Sequence, residues 1–191
     1  DEAGWTYSNN TDPLGIHQMT WSASNQAVAG LYYRCFYNIT LSNNFLQEST
    51  DEKLGSRGIA GADADLVKAY REDARFLRAY NYWVLLDNFG SVPFSDESIK
   101  IGSGVLPKQK SKVELFSFLE SELKALEATL PAPRSGEYGR ADKGAAWALL
   151  ARMYLNAQVY TGTAKYTEAI TYSSKVISAG YSLHPNFKEL M

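Results

Sequence analysis

The sequence has one cysteine, two histidines and no block of consecutive basic residues. Each scarcity removes a class of function. Cys35 has no partner for an intramolecular disulfide. It sits in the apolar helical context Tyr33-Arg-Cys-Phe-Tyr37, where it reads as a small buried hydrophobe. His17 and His184 stand far apart, with no HExxH pair and no second ligand at helical spacing, so no zinc site is expected. GxSxG is absent, and Gly102 and Gly104 are followed by neither Gly-Lys-Ser/Thr nor GxGxxG, so nothing cradles a phosphate. No cofactor is expected. The formal charge of -2 and the pI near 5.7 leave no footprint for nucleic acid. No run approaches the ~20 apolar residues that span a bilayer. Asp1 opens the chain without a leader pattern, and Met191 closes it just after a turn at Pro185. The chain is therefore expected to be a piece of a longer protein or a processed form.

Acid–base chemistry also lacks its residues. The carboxylate pairs are Asp51 with Glu52, Asp63 with Asp65, Asp96 with Glu97 and Glu120 with Glu122. Glycoside hydrolysis needs two carboxylates facing across a cleft. These pairs fall in loops, at a helix start or on a polar helix face, so no catalytic residue is assigned. Arg71, Arg75 and Arg78 with Glu72 and Asp73 read as an ion-pair lattice along one helix, the alternative being that Arg75 or Arg78 is partly buried and bonds backbone carbonyls.

What is present is apolar helix. Of 191 residues, 45% are hydrophobic and 13% aromatic, enough for one domain that buries about 70% of its unfolded surface. Helices are expected over about 25–47, 62–89, 112–130, 141–158 and 165–179. The central one, ending in Phe89-Gly90, carries an apolar stripe at Phe76, Ala79, Trp83 and Leu86. A second runs through Tyr70, Ala74, Leu77, Tyr80 or Asn81, Val84 and Asn88. Two apolar sides make it a central strut with helices packed around it. Ser111-Lys-Val-Glu114 fits a capping box, followed by the ladder Val113, Phe116, Leu119, Leu123, Leu126, Leu130. Residues 48–61 read as a linker and 91–110 as an extended connection. No strand pattern competes, and the class is all-α.

The fourth and fifth helices fit the tetratricopeptide pattern, with Trp147, Leu150, Ala151 and Tyr154 on the first and Tyr166, Ala169 and Val176 on the second. Tyr181 stands where that pattern usually has proline. The pattern says helical hairpin, hence scaffold.

Residues 1–24 differ from everything after them. Gly4, Pro13 and Gly15 make them loop, and Asp12 is the only charge between Glu2 and Arg34. The rest is Trp5, Tyr7, Trp21 and a set of neutral hydrogen-bonding groups that includes Asn9 and Asn10. Such a stretch suits sugar: CH faces pack on indole and phenol rings, and hydroxyls pair with amides without requiring charge. Trp5 and Trp21 suit equally well a second role, pinning the loop onto the helices.

At the central helix the sequence resembles the SusD/RagB family. The carrying residues are Ala74-Arg-Phe-Leu-Arg-Ala-Tyr-Asn-Tyr82 and Phe89-Gly-Ser-Val-Pro-Phe94. Asp1-Glu-Ala, Asn43-Asn-Phe-Leu46, Glu122-Leu with Leu130-Pro131, Gly139-Arg-Ala through Tyr154-Leu155, and Gly180-Tyr-Ser-Leu183 follow the family's order. The resemblance implies a tetratricopeptide-like SusD-like fold with an irregular N-terminal loop over 1–24 and a helical scaffold over 25–191. It implies a non-catalytic glycan-binding lipoprotein of the cell outer membrane, handing oligosaccharide to a SusC-like TonB-dependent transporter, with the lipidated cysteine lying before Asp1. The alternative is a scaffold that docks on the transporter without binding glycan. Chemistry and rough position place the candidate glycan contacts at Trp5, Tyr7, Asn9, Asn10 and Trp21.

Overall fold

The structure is a computed structural model and describes residues 11–100 and 102–190. Eight α-helices run through the described residues: α1 Thr11–His17, α2 Gln26–Glu48, α3 Asp51–Ser56, α4 Gly61–Phe89, α5 Lys112–Thr129, α6 Lys143–Leu155, α7 Ala157–Thr161 and α8 Tyr166–Ser178. A two-stranded antiparallel ladder, β1 Val92–Pro93 with β2 Gln109–Lys110, pins the ends of the long connection after α4. The architecture is all-α. Two short helices correct the expected loops. In α1, Pro13 sits within the first turn, where backbone N–H groups have no intrahelical partner anyway. In α3, Thr50 caps the helix by accepting from Lys53 N, with Asp51 and Glu52 facing the positive end of the helix dipole. The fourth expected helix is broken at Asn156 into α6 and α7.

Helix α4 is the strut, packed against α2 on one side and α5 on the other, with α6 beyond. Its second stripe is buried in part: Ala74 and Asn81 are buried as spacing allows, and Tyr82 and Leu85 join them. Tyr70, Leu77 and Tyr80 face outward. Helix α5 opens with both halves of the Ser111/Glu114 capping box. Its ladder residues from Phe116 to Leu130 are buried, and only Val113 points outward. Helices α6 and α8 pack together as the repeat pattern requires, burying Leu150, Met153, Tyr154, Ala169 and Tyr172. Cys35 is buried, and burial pushes its thiol up.

The arginines of α4 make one pair along their own helix, Arg75 with Glu72, and otherwise reach to other elements. Arg75 donates to both oxygens of Glu122 on α5, at 2.9 Å each, and to Glu72 at 2.9 Å. Arg78, 3% exposed, reaches Glu122 at 3.1 Å, Asn43 of α2 at 2.9 Å, and Glu97. Glu122 is therefore not on a solvated face. Burial pushes its carboxyl up, but the hydrogen bonds and charges of Arg75 and Arg78 outweigh this and hold it below the usual range. Glu120 is likewise taken, by Lys165, Lys124 and the Tyr154 hydroxyl. Asn43 and Tyr82 tie the backbone of Ser95 to this network, and Gln47 ties that of Glu97 and Ile99. Three helices and a connection are thus joined at one buried polar hub.

Candidate functional site

Before α2, the chain makes a compact return. The N–H groups of Gln18, Met19 and Thr20 donate to the carbonyls of Leu14, Ile16 and Gly15 at 2.9, 3.1 and 2.8 Å. Met19 takes a positive φ of 55°, which turns the chain out of the helical direction. Trp21 follows and is 49% exposed. The turn then closes at Asn25, the N-cap of α2, whose side-chain oxygen accepts from Ala27 N and Val28 N.

The Trp21 side chain borders three adjoining surface clefts. One, of about 380 Å³, is polar and neutral apart from Asp12, with Gln18, Thr20, Ser22, Ser24 and Asn25 on its walls. The other two, of about 370 and 330 Å³, lie toward the end of α4 and are lined by Val28, Leu31, Tyr32, Tyr33, Asn88 and Phe89. Tyr32 is half-buried and packs edge-on to Phe89 at 5.2 Å and against Phe36 at 4.7 Å. Tyr33, its neighbour in sequence, is 69% exposed. The result is an aromatic surface with hydroxyls and amides on one flank and one carboxylate. No lysine or arginine lines these clefts.

Of the expected contacts, Trp21 is placed at this surface. Trp5, Tyr7, Asn9 and Asn10 lie outside the described residues. Sequence reasoning missed Tyr32, Tyr33, Asn88 and Phe89 as walls of the clefts. One signal was available: the apolar spacing of this helix runs through Val28, Leu31, Tyr32 and Cys35 and leaves the Tyr33 ring off the stripe. Among the described residues no group of three or more His, Cys, Asp or Glu could hold a metal. Asp96 accepts from Ser98, and Glu97 pairs with Arg78. No helix of the described residues is long and apolar enough to cross a membrane.

Fold and cleft together define a helical-repeat scaffold that carries an exposed, aromatic-walled neutral surface near its N-terminus. The chain belongs to the SusD-like family described as starch-binding and associating with the outer membrane, which matches residues 1–155. It is 40% identical over 190 residues to the starch-binding protein SusD of Bacteroides thetaiotaomicron, covering all of this chain and 32% of that protein. The chain thus spans about a third of the length of this curated relative. A SusD superfamily protein of Parabacteroides distasonis superposes with a TM-score of 0.75 at 25% identity, over 92% of this chain and 37% of that one. A SusD-like carbohydrate-binding protein of Bacteroides fragilis gives 0.69 at 23% identity, over 90% and 31%, a likeness that speaks to the fold.

Proposed function

We propose that this chain is the N-terminal part of a glycan-capturing protein of the outer membrane, one that binds oligosaccharide without cleaving it. The observation that carries the reading is the Trp21 side chain, half exposed and bordered by clefts without a cation. A pyranose presents a CH face and a rim of hydroxyls; an indole with neutral amides and hydroxyls beside it matches both. The relative named for starch binding supports the same ligand class. Several groups must act together. One aromatic contact offers about 0.5–1.5 kcal/mol beyond its burial, whereas even a millimolar site needs about 4 kcal/mol. Trp5, Tyr7, Asn9 and Asn10 are proposed to join Trp21. In the full-length protein the site would feed a SusC-like TonB-dependent transporter, with an N-terminal lipid holding the protein at the cell surface.

The test is Trp21→Ala in the full-length protein on polysaccharide affinity gels. The expected result is about tenfold weaker retention, one good stacking contact, with the melting temperature nearly unchanged. Unchanged retention would instead favour a scaffold that docks without binding glycan. Tyr37, Leu41 and Leu77, exposed apolar residues on α2 and α4, favour that second reading. Release of reducing sugar would overturn the non-catalytic assignment.

A further inference from the structure

Asn25 is the one buried residue in the stretch from Ile16 to Ala27, at 6% exposure, and it is polar. Its groups are used in two separate ways. The side-chain oxygen and backbone carbonyl serve α2: the oxygen accepts from Ala27 N at 3.0 Å and Val28 N at 3.2 Å, and the carbonyl accepts from Ala29 N at 3.0 Å. The side-chain nitrogen reaches back across the turn and donates to the backbone carbonyl of Asp12, in the first turn of α1, at 2.9 Å. Its own backbone N–H closes the turn on Ser22 at 3.0 Å. Alpha1 lies close on this staple. A Cβ built on Gly15 would come within 3.6 Å of the Asn25 nitrogen and 3.8 Å of the Trp21 Cα. Trp21 sits inside the loop that the staple closes.

We infer that Asn25 is a positioning residue for the Trp21 surface: its amide nitrogen fixes α1 against the start of α2 and so holds the indole beside the clefts. This rests on the proposed glycan site. The two functions of Asn25 can be separated by chemistry. Aspartate and serine cap helices about as well as asparagine, but the aspartate carboxylate has no donor for the Asp12 carbonyl, and serine is too short to span the turn while capping. Alanine loses both functions.

The experiment compares Asn25→Asp, Asn25→Ser and Asn25→Ala in the full-length protein, with soluble malto-oligosaccharide as the probe. Asn25→Asp and Asn25→Ser are expected to melt within about 2 °C of the parent, because α2 stays capped. Their binding should weaken by about threefold to tenfold, the bias that one hydrogen bond gives to a bound-competent turn. Hydrogen exchange should quicken at Gln18, Met19 and Thr20 and stay unchanged in the body of α2. Asn25→Ala should lower the melting temperature as well. If Trp21→Ala weakens binding while Asn25→Asp does not, the positioning role is overturned and the glycan site stands. If Trp21→Ala has no effect, the glycan site falls, and the exchange of Gln18 to Thr20 alone decides whether the staple orders the turn. Exchange unaltered in Asn25→Asp reduces Asn25 to a helix cap.

Discussion

The hub around Arg78 and the turn around Trp21 are opposite solutions to placing polar groups in a helical protein. At the hub, charge is concentrated and largely removed from water: Arg75 and Arg78 share Glu122, Arg75 also reaches Glu72, and Arg78 reaches Asn43 and Glu97. At the turn charge is nearly absent, and the polar groups of Gln18, Thr20, Ser22 and Ser24 stand exposed. A buried ion pair costs desolvation and is set by geometry, so it fixes how elements meet. Exposed neutral groups cost little to leave free and can exchange water for a ligand. The first arrangement builds a frame, and the second leaves a surface available on it.

Breaking the hub should have the largest effect. Arg78→Met keeps much of the side-chain volume but removes the charge, leaving the Asn43 oxygen and part of the Glu122 carboxylate without donors. Removing one partner of a buried pair costs 3–5 kcal/mol, and Arg75 still holds Glu122, so a loss of about 3 kcal/mol is expected. Urea unfolding of parent and variant measures it. By comparison, Trp21→Ala removes a half-exposed ring and should cost about 1 kcal/mol or less in the same experiment. Comparable losses at both positions would erase the distinction between frame and surface.

The frame was more legible than the surface. Long amphipathic helices, the Ser111/Glu114 box and buried Cys35 follow from local spacing, which is where sequence speaks most directly. The partners of Arg75 and Arg78 did not, because Glu122 lies 44 and 47 residues further along and only the packing of α4 on α5 brings it near. The outward placement of Leu77 and Tyr80 on the second α4 stripe has the same origin. Leu77 and Tyr80 have helical spacing, but the position of α2 decides that Asn38 meets Asn81 instead. Helices α1 and α3, of seven and six residues, are too short to show a period. At the turn, the uncharged Trp-rich composition marked Trp21, while the cleft walls Tyr32, Tyr33, Asn88 and Phe89 came from helices that periodicity reads as packing.

An intermediate effect is expected from acid. The Glu122 carboxyl is held below its ordinary 4.5 in the folded protein. A lowered folded-state value stabilises above the unfolded value, and that stability is lost as pH falls below about 4.5 through the folded value. Glu122→Gln removes this contribution. Its stability should be lower than the parent's at neutral pH and should fall less steeply below pH 4.5, by up to one proton or about 1.4 kcal/mol per pH unit. Urea midpoints measured from pH 6 to pH 3 give both slopes. Parallel slopes would remove Glu122 from the hub's energetics.

The smallest effect sharpens the comparison most, because it divides frame from surface between adjacent residues. Tyr32 packs on Phe36 and Phe89, whereas Tyr33, 69% exposed, has its ring centre 5.9 Å from that of Tyr32 and lines the cleft beside Trp21. Truncating an exposed side chain away from special geometry shifts stability by about 0.5 kcal/mol or less. Tyr33→Ala should therefore melt with the parent, while Tyr32→Ala melts lower. If the surface takes sugar across both Trp21 and Tyr33, Tyr33→Ala should weaken malto-oligosaccharide binding by the worth of one aromatic contact, about 0.5–1.5 kcal/mol. Calorimetry on the full-length protein reads that as a twofold to tenfold change in affinity. Full affinity in Tyr33→Ala would confine the ligand to the polar side of Trp21, among Gln18, Thr20 and Ser22. A melting loss equal to that of Tyr32→Ala would place Tyr33 in the frame after all.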